Sequence, residues 1–378
     1  MKKRILYIAR NIPTPNQKEN QVILNIANKL SSEFEIDVIY PKEIVPWGLH
    51  FLSKYKPLYN LKPWDWNGKT IQILKYVRIP NQSNAFLYAT KFSNFEKIKF
   101  NNYDFIHGHF IFPDGIFSME LAAKWHIPYL ITIRESDLDL LRKVSTTSST
   151  WNWANKILSG AKKLQVLNNA STNFIKEHFN LDAVLIPHGI DSSNIRENNL
   201  SNTTSEIKIS VVGAANPNKQ IDWVIKAVKE YQGDKKIQLN IIGDGSQLNK
   251  LKGMAKNKNN INFLGKIPHA KVFEYLTASD IFALPSRKES FGLVYLEAAA
   301  TDNAIIGYKN TGIYGVLEED KEIIYIDNYS DFRNQLFNLI ENDKLRIEMK
   351  KNAKSKAKQL TWKKIIEQYS NMYKNLTD

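Results

Sequence analysis

Apolar and polar positions along the chain follow a strand-loop-helix rhythm that runs through both halves. Ile5 to Ala9 is an apolar, β-branched run that predicts a strand. Asn11 to Asn20 is polar and punctuated by prolines, as a loop should be. Between Gln21 and Leu30 the residues Ile23, Ile26, Ala27 and Leu30 share one helical face, and Glu35 to Tyr40 reads as strand again. Further strands are expected at Tyr103–Phe110, Pro128–Ile133, Lys163–Leu167 and Val184–Pro187. Helices are expected at 84–100, Ile116–Trp125, Trp151–Ala161 and Ala170–Phe179. After a polar Ser/Asn/Thr stretch at 192–206, the best linker candidate, the rhythm restarts. Strands are then predicted at Ile207–Val212, Leu239–Ile242, Ile261–Leu264, Asp280–Leu284, Ala304–Tyr308 and Ile323–Ile326, with helices between them. The last helices are placed at Ser330–Glu341, Lys344–Gln359 and Trp362–Asn375. Two successive β-α alternations predict an α/β protein built from two doubly wound domains facing one another.

Composition narrows the class. A chain of 378 residues, 43% hydrophobic and 24% charged, fits a globular protein of about two domains. There is no cysteine, which removes disulfides and thiolate metal sites. The apolar run after Met1-Lys2-Lys3-Arg4 stops at Arg10, too soon for a signal peptide, and no stretch is long enough to predict a membrane span. Net charge is +14, and residues 1–190 hold 24 basic against 15 acidic side chains. That excess reads either as a solvated surface or as attraction to an anionic bilayer or acceptor. Nucleic acid has no supporting motif. Trp47 to Gly68 mixes tryptophans and tyrosines with lysines, which suits a membrane interface, a loop packed on its own domain, or the lining of an acceptor cleft.

Candidate chemistry sits at strand ends. The stretch Ala283–Ala300 runs strand, charged loop, Gly292, helix. It brings Glu289 and the amides of Ser290, Phe291 and Gly292 to the carboxyl end of a strand, where open α/β sheets bind ligands, and Leu293 opens the helix. Glu297 follows on that helix. Carboxylates suit sugar hydroxyls and amides suit phosphates, so the arrangement fits a sugar nucleotide. Gly213 allows a close turn and Lys219 is placed as a cation beyond it, while Gly243-Asp244-Gly245 is a weaker glycine turn. In the first half, His107 and His109 point to one strand face, with one expected to be packed and the other, His109, to line a cleft. Arg134-Glu135-Ser136-Asp137 forms a charged cluster at the next strand end. Asp137-Leu138-Asp139 has the form of a metal motif, although no metal is expected.

The chain resembles the GT-B-fold, retaining, nucleotide-sugar-dependent glycosyltransferases of family 4. The resemblance rests on Glu289-Ser-Phe-Gly-Leu-Val-Tyr-Leu-Glu297, on the run-up Phe263–Ser286, on His107-Gly-His-Phe-Ile-Phe-Pro-Asp-Gly115, on Ile241-Ile-Gly-Asp-Gly245 and on Thr361–Tyr369. It implies domains at 1–190 for the acceptor and 191–360 for the donor, with a helix in 361–378 packing back on the first domain. It implies that Glu289 meets donor-sugar hydroxyls near the Phe291 and Gly292 amides, that Glu297 holds the ribose, and that Lys219 neutralises the diphosphate. The backbone at Lys266 and Ile267 would meet the base.

Departures from the family pattern are specific. Asn216 stands where an arginine is usual and Gln220 where a glycine is usual, so one fixed cation is missing from the leaving-group site. Arg134 stands where relatives carry histidine, three residues before Asp137, and would restore positive charge. Glu19-Asn20 replaces a Gly-Gly pair, and a second such pair survives as Thr311-Gly312. The expected function is transfer from a nucleotide sugar, UDP-linked by preference, to a glycan or lipid-linked acceptor of the cell envelope. Glu289, Lys219, Arg134 and Asp137 would do the chemistry, without metal or cofactor. The expected location is cytoplasmic, with peripheral contact to the inner membrane face. The alternative is a nucleotide-sugar-binding partner of another glycosyltransferase, with weak or no turnover.

Overall fold

The computed structural model describes residues 2–17, 21–44, 61–77, 98–196 and 205–376. The chain forms two compact units. One comprises Met1–Val166, Ser171–Ile186 and Ile366–Asp378, and the other Leu167–Ala170 and Pro187–Ile365.

The first unit is built on an eight-stranded sheet. Its strands are β1 (Lys3–Ile8), β2 (Phe34–Ile44), β3 (Trp64–Trp66), β4 (Lys69–Val77), β5 (Phe105–Gly108), β6 (Tyr129–Thr132), β7 (Lys163–Val166) and β8 (Val184–Leu185). They lie in the order β3-β4-β2-β1-β5-β6-β7-β8. All neighbours are parallel except β3, which runs antiparallel on the edge. β1 is apolar because helices cover both faces of a parallel sheet, and Ile5 to Ala9 are fully buried. The order reverses between β1 and β5, which opens a crevice at their carboxyl ends.

The β3-β4 hairpin spans Trp64–Val77, where the hydrophobic pattern predicts no strand. Its signal is Asn67-Gly68, a two-residue turn with both residues left-handed, at φ 49° and 78°. Residues 47–60 of the aromatic-lysine stretch and residues 84–97 of the expected helix lie outside the described residues. Residues 98–100 are not helical.

A buried polar chain runs through the first unit's sheet. The Tyr7 and Tyr373 hydroxyls are 2.5 Å apart, the Tyr373 hydroxyl is 2.7 Å from His107 Nδ1, and His107 Nε2 is 2.7 Å from Thr132 Oγ1. Thr132 then donates to Gln165. Tyr373 comes from the last helix, Trp362–Lys374, whose residues from Ile366 onward belong to this unit. A buried polar group must find a partner or lose its hydration energy, so this chain fixes the helix register on the sheet.

The second unit carries six parallel strands: β9 (Glu206–Val212), β10 (Lys236–Ile242), β11 (Ile261–Gly265), β12 (Ile281–Leu284), β13 (Ala304–Tyr308) and β14 (Ile324–Ile326). Their order is β11-β10-β9-β12-β13-β14, so the switch point lies between β9 and β12. The chain joins this unit at Pro187, ahead of the polar stretch at 192–206, and the Arg196 N–H donates to Ala300 O at 2.9 Å. Residues 197–204 of the expected linker lie outside the described residues. Arg346 is buried and donates to Leu339 O at 2.8 Å and Ile340 O at 3.1 Å, satisfying the carbonyl end of the helix Tyr329–Glu341.

Candidate active site

The second unit's site is made by the loops that leave β9 and β12, the two strands flanking the switch point. After β12 the chain passes Pro285 and Ser286 and turns at Gly292 into the helix Leu293–Ala300. Gly292 is left-handed at φ 74°, and a Cβ there would lie 2.6 Å from the Tyr295 ring. Both conditions demand glycine. Tyr295 is held in turn by its hydroxyl, which donates to Leu284 O at 2.6 Å.

The Lys219 ammonium donates to Glu289 Oε1, joining the two loops. Their side chains are 16% and 14% exposed, sheltered enough for the pair to be worth more than a surface salt bridge. Lys219 keeps two further N–H donors and Glu289 its second oxygen. A phosphate oxygen and a sugar hydroxyl are the natural partners for those groups.

Backbone contacts fix the loops. Asn218 Nδ2 donates to Lys288 O at 2.8 Å and to Ser286 Oγ at 3.3 Å, and Arg287 N–H donates to Asn218 O at 3.0 Å. Gly243, after β10, has φ 138°, and a Cβ on it would come within 1.9 Å of Gly213 O. The β9 and β10 loops touch only because neither carries a side chain at that point. The Ala215 N–H donates to Asp244 O, and the Gly243 N–H to Gly265 O at 2.8 Å, which ties in the loop bearing Lys266 and Ile267.

Asn216 is a turn residue here. Its side chain accepts from Asn218 N–H at 3.1 Å, so it shapes the approach to Lys219 and supplies no cation. Gln220 adopts the left-handed conformation, φ 47° and ψ 40°, that explains the usual glycine. Its side-chain oxygen is buried without a hydrogen-bond partner among the described residues.

Ser290 is exposed at the loop tip. Phe291 is buried and sets its ring against His188, centroids 5.1 Å apart. Glu297 sits one helical turn beyond Leu293, 14% exposed, with His269 Nε2 at 2.9 Å. The hydrogen bond to Glu297 raises the His269 pKa, against a smaller opposing effect of burial.

Four residues support the candidate site from around it. Asn168 is buried and donates to Ser290 O at 3.1 Å and Gly312 O at 2.7 Å. The Thr311 hydroxyl accepts from Glu289 N–H at 2.8 Å, and the Gly312 N–H donates to Glu289 O at 3.1 Å. His269 partners Glu297. Thr311 and Gly312 stood in a recognised departure; Asn168 and His269 had no signal, because their partners are 122 and 28 residues away.

In the first unit, Arg134, Asp137 and His109 gather at the carboxyl ends of β5 and β6. His109 is fully buried, stacked on His107 at 3.9 Å and edge-on to Tyr7, so it does not line an open cleft. The shared strand face is covered, which two-residue spacing alone does not reveal. Arg134 precedes the helix Glu135–Arg142 and donates from Nε to His109 O at 3.1 Å, and burial lowers its pKa. Asp137 accepts from Arg134 N–H at 3.1 Å and is 1% exposed. Burial pushes its pKa up to about 6 against the pull of Arg10 and the amides of Arg134, Ile111 and Phe112. Asp139 lies 3.7 Å from Arg142, so the two carboxylates of Asp137-Leu138-Asp139 have different protein partners. Among the described residues no group of three or more acidic or histidine side chains is arranged to hold a metal ion.

Asp114, which the sequence analysis gives no role beyond its place in the His107–Gly115 stretch, is fully buried beside them. It accepts from Arg10 N–H at 3.2 Å, and its second oxygen has no hydrogen-bond partner among the described residues. Burial holds its pKa well above the usual carboxylate range.

Comparison with known proteins bears on the family and the fold. The family model for glycosyl transferases group 1 matches residues 191–356, and that for glycosyltransferase family 4 matches residues 20–194. An uncharacterized glycosyltransferase of Methanocaldococcus jannaschii is 25% identical over 279 residues, 73% of this chain and 76% of that one. Among solved structures, sucrose-phosphate synthase from Thermosynechococcus elongatus superposes with a TM-score of 0.73 at 16% identity, covering 99% of each chain. Anabaena HepE, in complex with UDP, superposes at 0.71 with 15% identity, covering 99% of this chain and 100% of that one.

Proposed function

The chain belongs to the family 4, group 1 glycosyltransferases of GT-B fold, and from that premise we propose that it moves a sugar from a UDP-linked donor to a glycan or lipid-linked acceptor, with retention of anomeric configuration. The observation that carries the proposal is the Lys219–Glu289 pair beside the Gly292 helix start, on the loops flanking the second unit's switch point. The UDP bound by HepE supports the choice of nucleotide.

In this reading Glu289 orients the sugar through its hydroxyls and Glu297 holds the ribose. As the bond from the anomeric carbon to the diphosphate oxygen breaks, negative charge builds on the leaving group. Lys219 and the amides at the Gly292 turn stabilise that charge, the kind of preorganised electrostatics that dominates many enzymes. The acceptor hydroxyl attacks from the face the leaving group departs, and its proton passes to the departing phosphate oxygen. The charge term is met by a lysine and backbone amides, so the scheme calls for no metal.

The basic first half and a lipid-linked acceptor together favour action at the inner face of the cell membrane. No helix among the described residues is long and apolar enough to cross a membrane. A panel of nucleotide sugars with detection of released nucleotide and product anomer tests the proposal. Release of UDP with an α-configured product from an α-configured donor is expected; an inverted product would refute retention.

Asn216 favours a second reading, binding of the nucleotide sugar with little turnover, because the residue caps a turn and adds no charge. Donor-dependent nucleotide release above the spontaneous rate would exclude it.

A further inference from the structure

We propose that Trp64 and Trp66 form a stacking platform for a pyranose ring of the acceptor, in a pocket of the first unit walled by the loop that leaves β1. The inference rests on the glycosyltransferase reading and names the acceptor chemistry.

The sheet register brings the platform into place. Trp64 pairs with Ile71, Ile71 with Val38, and Val38 with Tyr7, so the edge strand β3 sits level with the carboxyl end of β1. That end belongs to the unit's own switch point, between β1 and β5. The pocket has a volume of about 320 Å³ and is lined by Pro13, Thr14, Pro15, Gln21, Trp64, Asp65 and Trp66. Small-molecule sites run from roughly 300 to 1,000 Å³, so one sugar ring is the scale that fits.

Its chemistry is selective. Residues two apart on a strand share a face, which sets both indoles on one side. Trp64 is braced by the buried Tyr40, ring centroids 5.6 Å apart at 70°. Two prolines make the opposite wall stiff. Gln21 and Thr14 add an amide and a hydroxyl at the rim, while the Asp65 side chain, on the other strand face, accepts from the Gly68 N–H at 3.1 Å. Large aromatic faces edged by acceptors and donors suit a ligand with one C–H face and a ring of hydroxyls, which describes a pyranose. A phosphate finds no cation among these lining residues, and a lipid tail would leave the rim's polar groups without partners.

The test uses the full chain and methyl glycosides of glucose, galactose, mannose and N-acetylglucosamine, read by saturation-transfer NMR, with sorbitol as an acyclic control. At least one pyranoside should bind with a Kd on the order of 1 mM, the strength a ligand of about a dozen heavy atoms can reach. Binding should weaken about tenfold in Trp64→Ala and in Trp66→Ala, and less in the Phe variants, which keep a ring. UDP affinity, measured by calorimetry, should not change in these variants.

Pyranoside binding that is absent, or equal in wild type and both Ala variants, overturns the inference. So does loss of anionic-vesicle binding in the Ala variants with sugar binding intact, because the tryptophans would then be membrane anchors. Failure of UDP and GDP to bind the wild-type chain would overturn the transferase reading instead, whatever the pyranosides do.

Discussion

Replacing Lys219 by methionine keeps the length and most of the volume of the side chain and removes its charge. The ammonium is a fixed cation of the proposed leaving-group site, and Asn216, which stands where an arginine is expected, adds none. It is 16% exposed, so bulk water screens it only in part. Removing one preorganised donor from a developing anion costs about 2.7–4 kcal/mol, or about 10²- to 10³-fold in kcat. The loss should appear equally in kcat and kcat/KM, because the charge develops as the bond breaks. The variant also leaves Glu289 without its ion-pair partner. That carboxylate is 14% exposed and can recruit water, so stability should fall by only about 1 kcal/mol. The assay is UDP release from the donor identified in the panel, by coupled absorbance, with urea denaturation in parallel. Turnover within threefold of wild type in a fully folded Lys219→Met protein would refute the assignment of the leaving-group site.

Other outcomes follow from the same geometry. Gly243→Ala should cost about 2–4 kcal/mol in urea denaturation, because a Cβ would collide with Gly213 O, whereas Gln220→Gly should gain about 1 kcal/mol by relieving a left-handed side chain. Asn168→Ala leaves Ser290 O and Gly312 O short of a donor; stability should fall by about 1–3 kcal/mol, and UDP release should slow as the loop loosens. The raised His269 pKa means that its bond to Glu297 is complete below the ordinary histidine value and is lost as pH rises through the raised one. Protonated His269 should compete with the ribose for Glu297, so UDP affinity measured by calorimetry should weaken as pH falls from about 8 to about 6, and His269→Gln should flatten that profile.

Local signals pointed to much of the proposed donor site. Glu289, Gly292 and Glu297 lie within nine consecutive residues, and the strand before them and the helix after them have strong patterns. Gly213 and Lys219 follow a strand in the same way. By contrast, Asn67-Gly68 was a hairpin signal that went unread because the flanking aromatic-lysine stretch dominated that region. His109 was expected at a cleft, since spacing fixes which face a strand residue takes and not what covers that face.

By itself, then, the chain's pattern determined two β-α alternations and which loops end at strand tips, because burial imposes period two or 3.6 on each element locally. Tertiary structure decided the partners. Strand order, which is non-local, put the β9 and β12 loops side by side and so made a pair of Lys219 and Glu289, 70 residues apart. It brought Asn168 under the Glu289 loop, buried Asp114 and Asp137 beside Arg10, and set Trp64 level with the end of β1. Contacts between distant segments depend on how layers pack, and no window of sequence contains both sides of such a contact.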